Sequence, residues 1–221
     1  MRFSLRSVVL ALALLVAGVA FISTPTLAQD ENAAPAADQG NKSAAGKFIQ
    51  SLGDRAIKAI ADKNVSQAQR NDKFRNILQD SFDLATIGRF VIGRTWNAAT
   101  PAQQQEYMKL FEALVIKTYG DRLTLYTGEG FKVTSSRAES DKDFIVNSEI
   151  THPDGSQPTA IDWRVRQKNG KLGVIDVVVE GVSLSVTQRQ EYAAVIQSNG
   201  GQIDGLLNLM RQQVQGNNQP G

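Results

Sequence analysis

The chain has 221 residues, with 24 basic and 22 acidic side chains, one histidine and no cysteine. That composition excludes disulfide scaffolds, thiolate nucleophiles, cysteine-ligated or polyhistidine metal sites, and lipid attachment through an N-terminal cysteine. Without Arg2 and Arg6, which fall in the segment read below as a signal, the count is 22 against 22, so no net charge draws the protein to nucleic acid or an anionic membrane surface.

Arg2 and Arg6 precede an apolar run from Val8 to Ile22, Pro25 follows, and Thr26 and Ala28 put small side chains where a signal peptidase reads. The pattern predicts a signal peptide over 1–28, cleaved before Gln29, and export of the mature protein. Its apolar run of about 15 residues is shorter than the roughly 20 of a spanning helix. Residues 29–43 carry no large apolar side chain and read as a flexible leader, and 215–221 as a flexible tail. The folded domain is expected over 44–214, long enough for one sizeable core.

From Ala44, Phe48, Ile49, Leu52, Ala56, Ile57 and Ile60 recur at helical spacing. Ser66 and Gln69 form a capping box for a second helix, which turns Phe74, Ile77 and Leu78 inward. Asp83 caps a short helix from Leu84 to Ile92 that Gly93 ends. Thr100-Pro101-Ala102-Gln103 combines a threonine cap, proline at the first helical position and a closing glutamine. The helix after it buries Tyr107, Leu110, Phe111, Leu114, Val115, Thr118 and Leu123, and can extend to Tyr126 before Gly128.

At Gly128 the period becomes two. Strands are predicted from Phe131 to Ala138, Phe144 to Thr151, Thr159 to Gln167 and Leu172 to Glu180, with a turn at His152-Pro153-Asp154-Gly155 and an Asn169-Gly170 hairpin. In the last strand the alternation puts Ile175, Val177 and Val179 on one side, Val174 and Val178 on the other. A helix around Gln188 to Ser198, a break at Asn199-Gly200-Gly201, and a helix with Ile203, Leu206, Leu207 and Met210 on one stripe complete the chain. Helices, consecutive hairpin strands and helices again make an α+β fold, with an antiparallel sheet covered on one side.

Catalytic chemistry has little to stand on. His152 sits in a predicted turn with no partner at motif spacing, and Gly128-Glu129-Gly130 lacks the strand and the Lys-Ser/Thr pair of a phosphate loop. Asp162 and Asp176 lie in adjacent strands. They are either a carboxylate pair able to shift one pKa and act as base, or a cross-strand charge partner and a turn or helix cap.

Val91-Ile92-Gly93-Arg94-Thr95-Trp96, Ala99-Thr100-Pro101-Ala102-Gln103, Phe111, Thr118-Tyr119-Gly120, Ile175-Asp176-Val177, Glu180-Gly181-Val182-Ser183-Leu184, Arg189 and Gly200 stand in one order. In these segments the chain resembles the MlaC family, also called toluene-tolerance or organic-solvent-resistance proteins. Leu172-Gly173 departs from the tryptophan common there. The resemblance implies a curved antiparallel sheet like the nuclear-transport-factor cone, packed against a helical subdomain with an apolar cavity between. It also implies a periplasmic protein with a phospholipid as cargo, with no cofactor and no catalysis, moved between inner and outer membranes to maintain outer-membrane lipid asymmetry. The implied partners are an inner-membrane ABC transporter complex with a mammalian-cell-entry-domain subunit and an outer-membrane lipoprotein–porin complex. If strand faces and helix stripes both point into that cavity, its lining is Trp163, Val165, Ile175, Val177 and Val179 from the sheet. The helices would add Phe90, Val91, Phe111, Tyr119, Leu123 and Tyr126. A carrier of hopanoid or another polycyclic lipid, a cone-fold isomerase using Asp176 as base, and a ligand-free adaptor are the alternatives.

Overall fold

The structure, a computed structural model, describes residues 43–61, 65–120 and 128–216. The signal peptide, the leader up to residue 42, residues 217–221 of the tail, Leu123 and Tyr126 lie outside the described residues. The elements are α1 Ala44–Ala61, α2 Gln67–Ser81, α3 Leu84–Ile92, α4 Thr95–Ala98, α5 Pro101–Gly120, β1 Gly130–Ala138, β2 Asp143–Thr151, β3 Thr159–Lys168, β4 Lys171–Val179, β5 Val182–Ser183, α6 Leu184–Ser198 and α7 Ile203–Gln215.

The predicted caps form. Ser66 and Gln69 satisfy each other's backbone N–H groups at the start of α2. Thr100 and Gln103 do the same ahead of α5, and Asp83 accepts from the Thr86 N–H at 2.9 Å. Helix α6 begins a turn earlier than its apolar period indicates. Ser183 caps it by accepting from the Val186 N–H, while Val186 itself faces out and breaks the stripe.

The five strands pair antiparallel in sequence order and the sheet does not close. Asn169 and Gly170 both have positive φ, 51° and 77°, as a two-residue primed hairpin turn requires. The regular alternation expected in β4 is interrupted: Arg164 lies opposite Asp176 and Val165 opposite Val174, leaving Ile175 as the extra residue of a bulge. Val174 therefore shares a face with Val177, fully buried, contrary to strict alternation.

Two apolar cores result. Ala45, Ile49 and Leu52 of α1, with Ile77 of α2, pack onto Val133, Val146, Val165 and Val174 of the sheet. The second core is helical: Val91, Tyr107, Phe111, Tyr192, Leu206, Leu207 and Met210 gather α3, α5, α6 and α7 around the fully buried Tyr107. Salt bridges and hydrogen bonds tie its rim, including Arg211 to Glu106 and Gln103 to Asp204. Both cores meet at the edge of β4. Phe82 bridges to Val174 at one end, with the Asp83 N–H donating to the Val174 carbonyl, and Val182–Ser183 pair with Val178–Val179 at the other. Asp83 and Ser183, the caps of α3 and α6, thus stand on one strand edge, which those segments cover.

Candidate functional site

Cross-strand register defines the face of the sheet that meets α1. Phe131, Ile150 and Thr159 form one row; Val133, Ser148, Ile161 and Val179 the next; then Ser136, Val146, Trp163 and Val177; then Phe144, Val165 and Val174. No residue in these rows is ionisable. The opposite face carries Lys132, Glu149, Asp162, Arg164, Arg166 and Asp176. Moving a strand by one residue would exchange these sets, so burial of the apolar face fixes the register.

Trp163 stands at the centre of the apolar face, half-buried between Val146 and Val177. Its indole N–H donates to the Ser148 hydroxyl at 2.8 Å, and Ser148, itself buried, donates to the Ile161 carbonyl at 3.1 Å. That satisfies the polar atom of the indole and leaves the rest of the ring as apolar surface. Phe131 meets Trp163 edge-on with centroids 6.1 Å apart, and its ring lies against Gly53 of α1. Phe48, Phe131, Phe144, Trp163, Leu172 and Val177 are all only partly covered while packed against the buried core. This is apolar surface at the margin between α1 and the sheet.

The structure divides the expected lining. Trp163, Val165 and Val177 lie together on the apolar face, with Val179 in register beside Ile161. Ile175 does not join them, because the bulge takes it out of the pairing register. Val91 and Phe111 are 1% and 4% exposed within the helical core, their apolar stripes being satisfied by α6 and α7 instead of by the sheet. Phe90 points outward, 42% exposed, beneath the Arg189 guanidinium. Tyr119 is half-buried; burial chiefly pushes the Tyr192 phenol up to about 12, with the nearby charges of Glu191 and then Tyr119 adding to it. Phe131 and Val174 belong to the sheet site although periodicity did not single them out. Phe131 opens a strand otherwise rich in polar residues, and a bulge leaves no mark in the period.

The two aspartates do not form a catalytic pair on this face. Asp162 accepts from Asn147 at 2.6 Å on the charged side. Asp176, 7% exposed, accepts from the Ser183 hydroxyl at 2.7 Å, the Val177 N–H at 2.9 Å and the Ser185 N–H at 3.2 Å. Its work is to hold the β4–β5 turn and the first turn of α6. His152 contacts the Thr159 hydroxyl at 3.0 Å in its turn. Among the described residues no group of three or more His, Cys, Asp or Glu could hold a metal ion, and no helix is long and apolar enough to cross a membrane.

Residues 50–212 match the family described as MlaC protein. The intermembrane phospholipid transport system binding protein MlaC of Haemophilus influenzae is 27% identical over 71% of this chain and 79% of its own length. Toluene tolerance protein ttg2D of Pseudomonas putida is 25% identical over 60% of this chain and 62% of its own. A phospholipid-binding protein from Ralstonia solanacearum, solved in complex with a phospholipid, superposes with a TM-score of 0.67 at 25% identity, over 76% of this chain and 95% of that one. The match takes in every strand, the whole helical core and the sheet core except the first residues of α1: the chain belongs to the MlaC protein family.

Proposed function

We propose that this protein binds a phospholipid against the apolar face of its sheet and carries it through the periplasm between the inner and outer membranes. The observation that carries the reading is the sheet face itself, which bears no ionisable group in its register rows and presents Phe131, Trp163 and Val177 only partly covered. The Haemophilus relative is named as a phospholipid transport binding protein, and the Ralstonia relative holds a phospholipid. In this reading the acyl chains lie along the partly covered apolar surface at the margin between α1 and the sheet, formed by Phe48, Phe131, Phe144, Trp163 and Val177, with the polar head group facing out, where water still solvates its charge.

The energetics suit a carrier. Two acyl chains of ordinary length expose about 28 methylenes, each worth ~0.8 kcal/mol, so bare release into water costs more than roughly 20 kcal/mol. An apolar face recovers most of that without catalysis or net charge. Signal-peptide cleavage, delivery by an ABC transporter complex with a mammalian-cell-entry-domain subunit, and exchange with an outer-membrane lipoprotein–porin complex belong to the same proposal, as does maintenance of outer-membrane lipid asymmetry.

Native mass spectrometry of the protein purified from a membrane-containing host tests it. The expected result is a bound mass that fragments as a phospholipid. Repeated isolation without lipid would reject the carrier, and a bound hopanoid or other polycyclic lipid would replace the cargo.

A further inference from the structure

We propose that the cleft where α3 meets α6 docks an acidic, partly apolar segment of a partner protein. The inference does not depend on the lipid reading. Among the described residues the large apolar side chains that stand exposed are Phe90 (42%), Val182 (38%) and Val186 (42%). They stand on the two helices that border the cleft or at the start of one: Phe90 on α3, Val186 in the first turn of α6 and Val182 just before it. Arg189 follows Val186 by one turn, and its guanidinium lies 4.9 Å from the Phe90 ring centre while donating to the Phe90 carbonyl at 3.1 Å. The same side of α6 continues through Ala193 and Gln197 into a cleft of about 500 Å³, closed opposite by Ile92–Thr95 and at its end by Gly200-Gly201.

Charge complements that apolar stripe. The cleft lining contains two guanidinium groups, Arg94 and Arg189, and no carboxylate. Arg94 is exposed, and neither arginine joins a salt bridge among the described residues. By contrast, Arg166 and Arg211 hold carboxylates in bidentate pairs. In a chain with balanced charges, two cations left together beside exposed Phe and Val are the composition of an interface centre. A lone inorganic anion would not use Phe90, Val182 or Val186, and membrane-surface recognition draws on clusters of about four to eight cations, more than stand here. Gly93 takes part as well: its φ of 61° turns the chain, and the Arg189 guanidinium lies where a side chain would project. Thus Val91–Thr95, Arg189 and Gly200, distant in sequence and outside the sheet face, converge on one cleft, with Val91 and Ile92 as its buried floor.

The test is fluorescence anisotropy with a labelled peptide alternating Glu and Leu, on the full protein at low salt. Binding is expected to weaken by about tenfold or more in Arg94→Glu and in Phe90→Ser, the loss typical of interface centres. It should weaken with added salt and stay unchanged in the remote surface control Lys132→Glu. Circular dichroism shows that each variant folds, and retained lipid in Arg94→Glu by native mass spectrometry separates this surface from the lipid site. Absence of peptide binding, or binding indifferent to both substitutions, overturns the proposal. So does Arg94-dependent binding to phosphatidylglycerol–phosphatidylcholine vesicles or to inorganic phosphate in place of the peptide.

Discussion

The Phe131 ring rests on Gly53, so the first residues of the sheet and the middle of α1 approach as closely as a missing side chain allows. A Cβ at position 53 would overlap the ring, including Cγ, which rotation about the ring axis does not move. Gly53→Ala should therefore destabilise, although alanine is worth about 1 kcal/mol more than glycine within a helix. Overpacking costs typically about 1–3 kcal/mol, and the expected net is a fall of about 1 kcal/mol in denaturant unfolding. Phe131→Leu in the same background should recover part of it. A Gly53→Ala protein more stable than the parent would show that α1 and the sheet separate freely.

Placement of the lipid on the sheet face predicts a contrast between two substitutions. Val177→Glu puts a carboxylate on a face with no ionisable group in its rows and should abolish lipid retention with the protein still folded. Phe90→Ser, on the outward side of α3, should leave retention unchanged. Native mass spectra of the two variants read this directly, and the reverse pattern would move the cargo to the helical lobe.

Asp176 should be the costliest single carboxylate to remove. Asp176→Ala leaves the Ser183 hydroxyl and the Ser185 N–H without their acceptor at a buried position. The expected loss is about 2–4 kcal/mol, with the helix signal of α6 fraying first in hydrogen exchange. Asp162→Ala, which loses chiefly the Asn147 bond on the charged face, should cost about 1 kcal/mol.

Acid should weaken the fold through three carboxylates. Burial raises the Asp83 pKa, but the side-chain and backbone bonds from Thr86, with Lys168 beside it, outweigh that and hold it below the usual range. Arg166 holds Asp143 low and Arg211 holds Glu106 low, each chiefly through its hydrogen bonds. A folded pKa below the unfolded one gives stability that is complete above the unfolded value and lost as pH falls through the folded one. Urea midpoints should thus be flat from neutrality to about pH 5 and fall below about pH 4. Asp83→Asn should lower the neutral midpoint and flatten the acid limb; an unchanged slope would remove Asp83 from the account.

Much of the architecture was written locally. Ser66, Asp83 and Thr100 announce their helices because a cap bonds to backbone within the next turn. Asn169-Gly170 announces its hairpin because few residue pairs accept positive φ twice. The turn to a two-residue period at Gly128 gives the antiparallel sheet, and the polar exterior of β3 follows from its alternating charges.

Which apolar stripe meets which was not local. Val91 and Phe111 have the same periodicity whether their partner is a sheet or a helix, and only the return of α6 and α7 onto α3 and α5 decided for the helix. Ile175 and Val174 exchanged roles through one unpaired residue, which shifts register without altering the hydrophobic pattern enough to show. Composition and period fix how much surface each segment must bury; the assignment of partners is a property of chain topology, and there the apolar sheet face and the cleft beside Arg189 became separate surfaces.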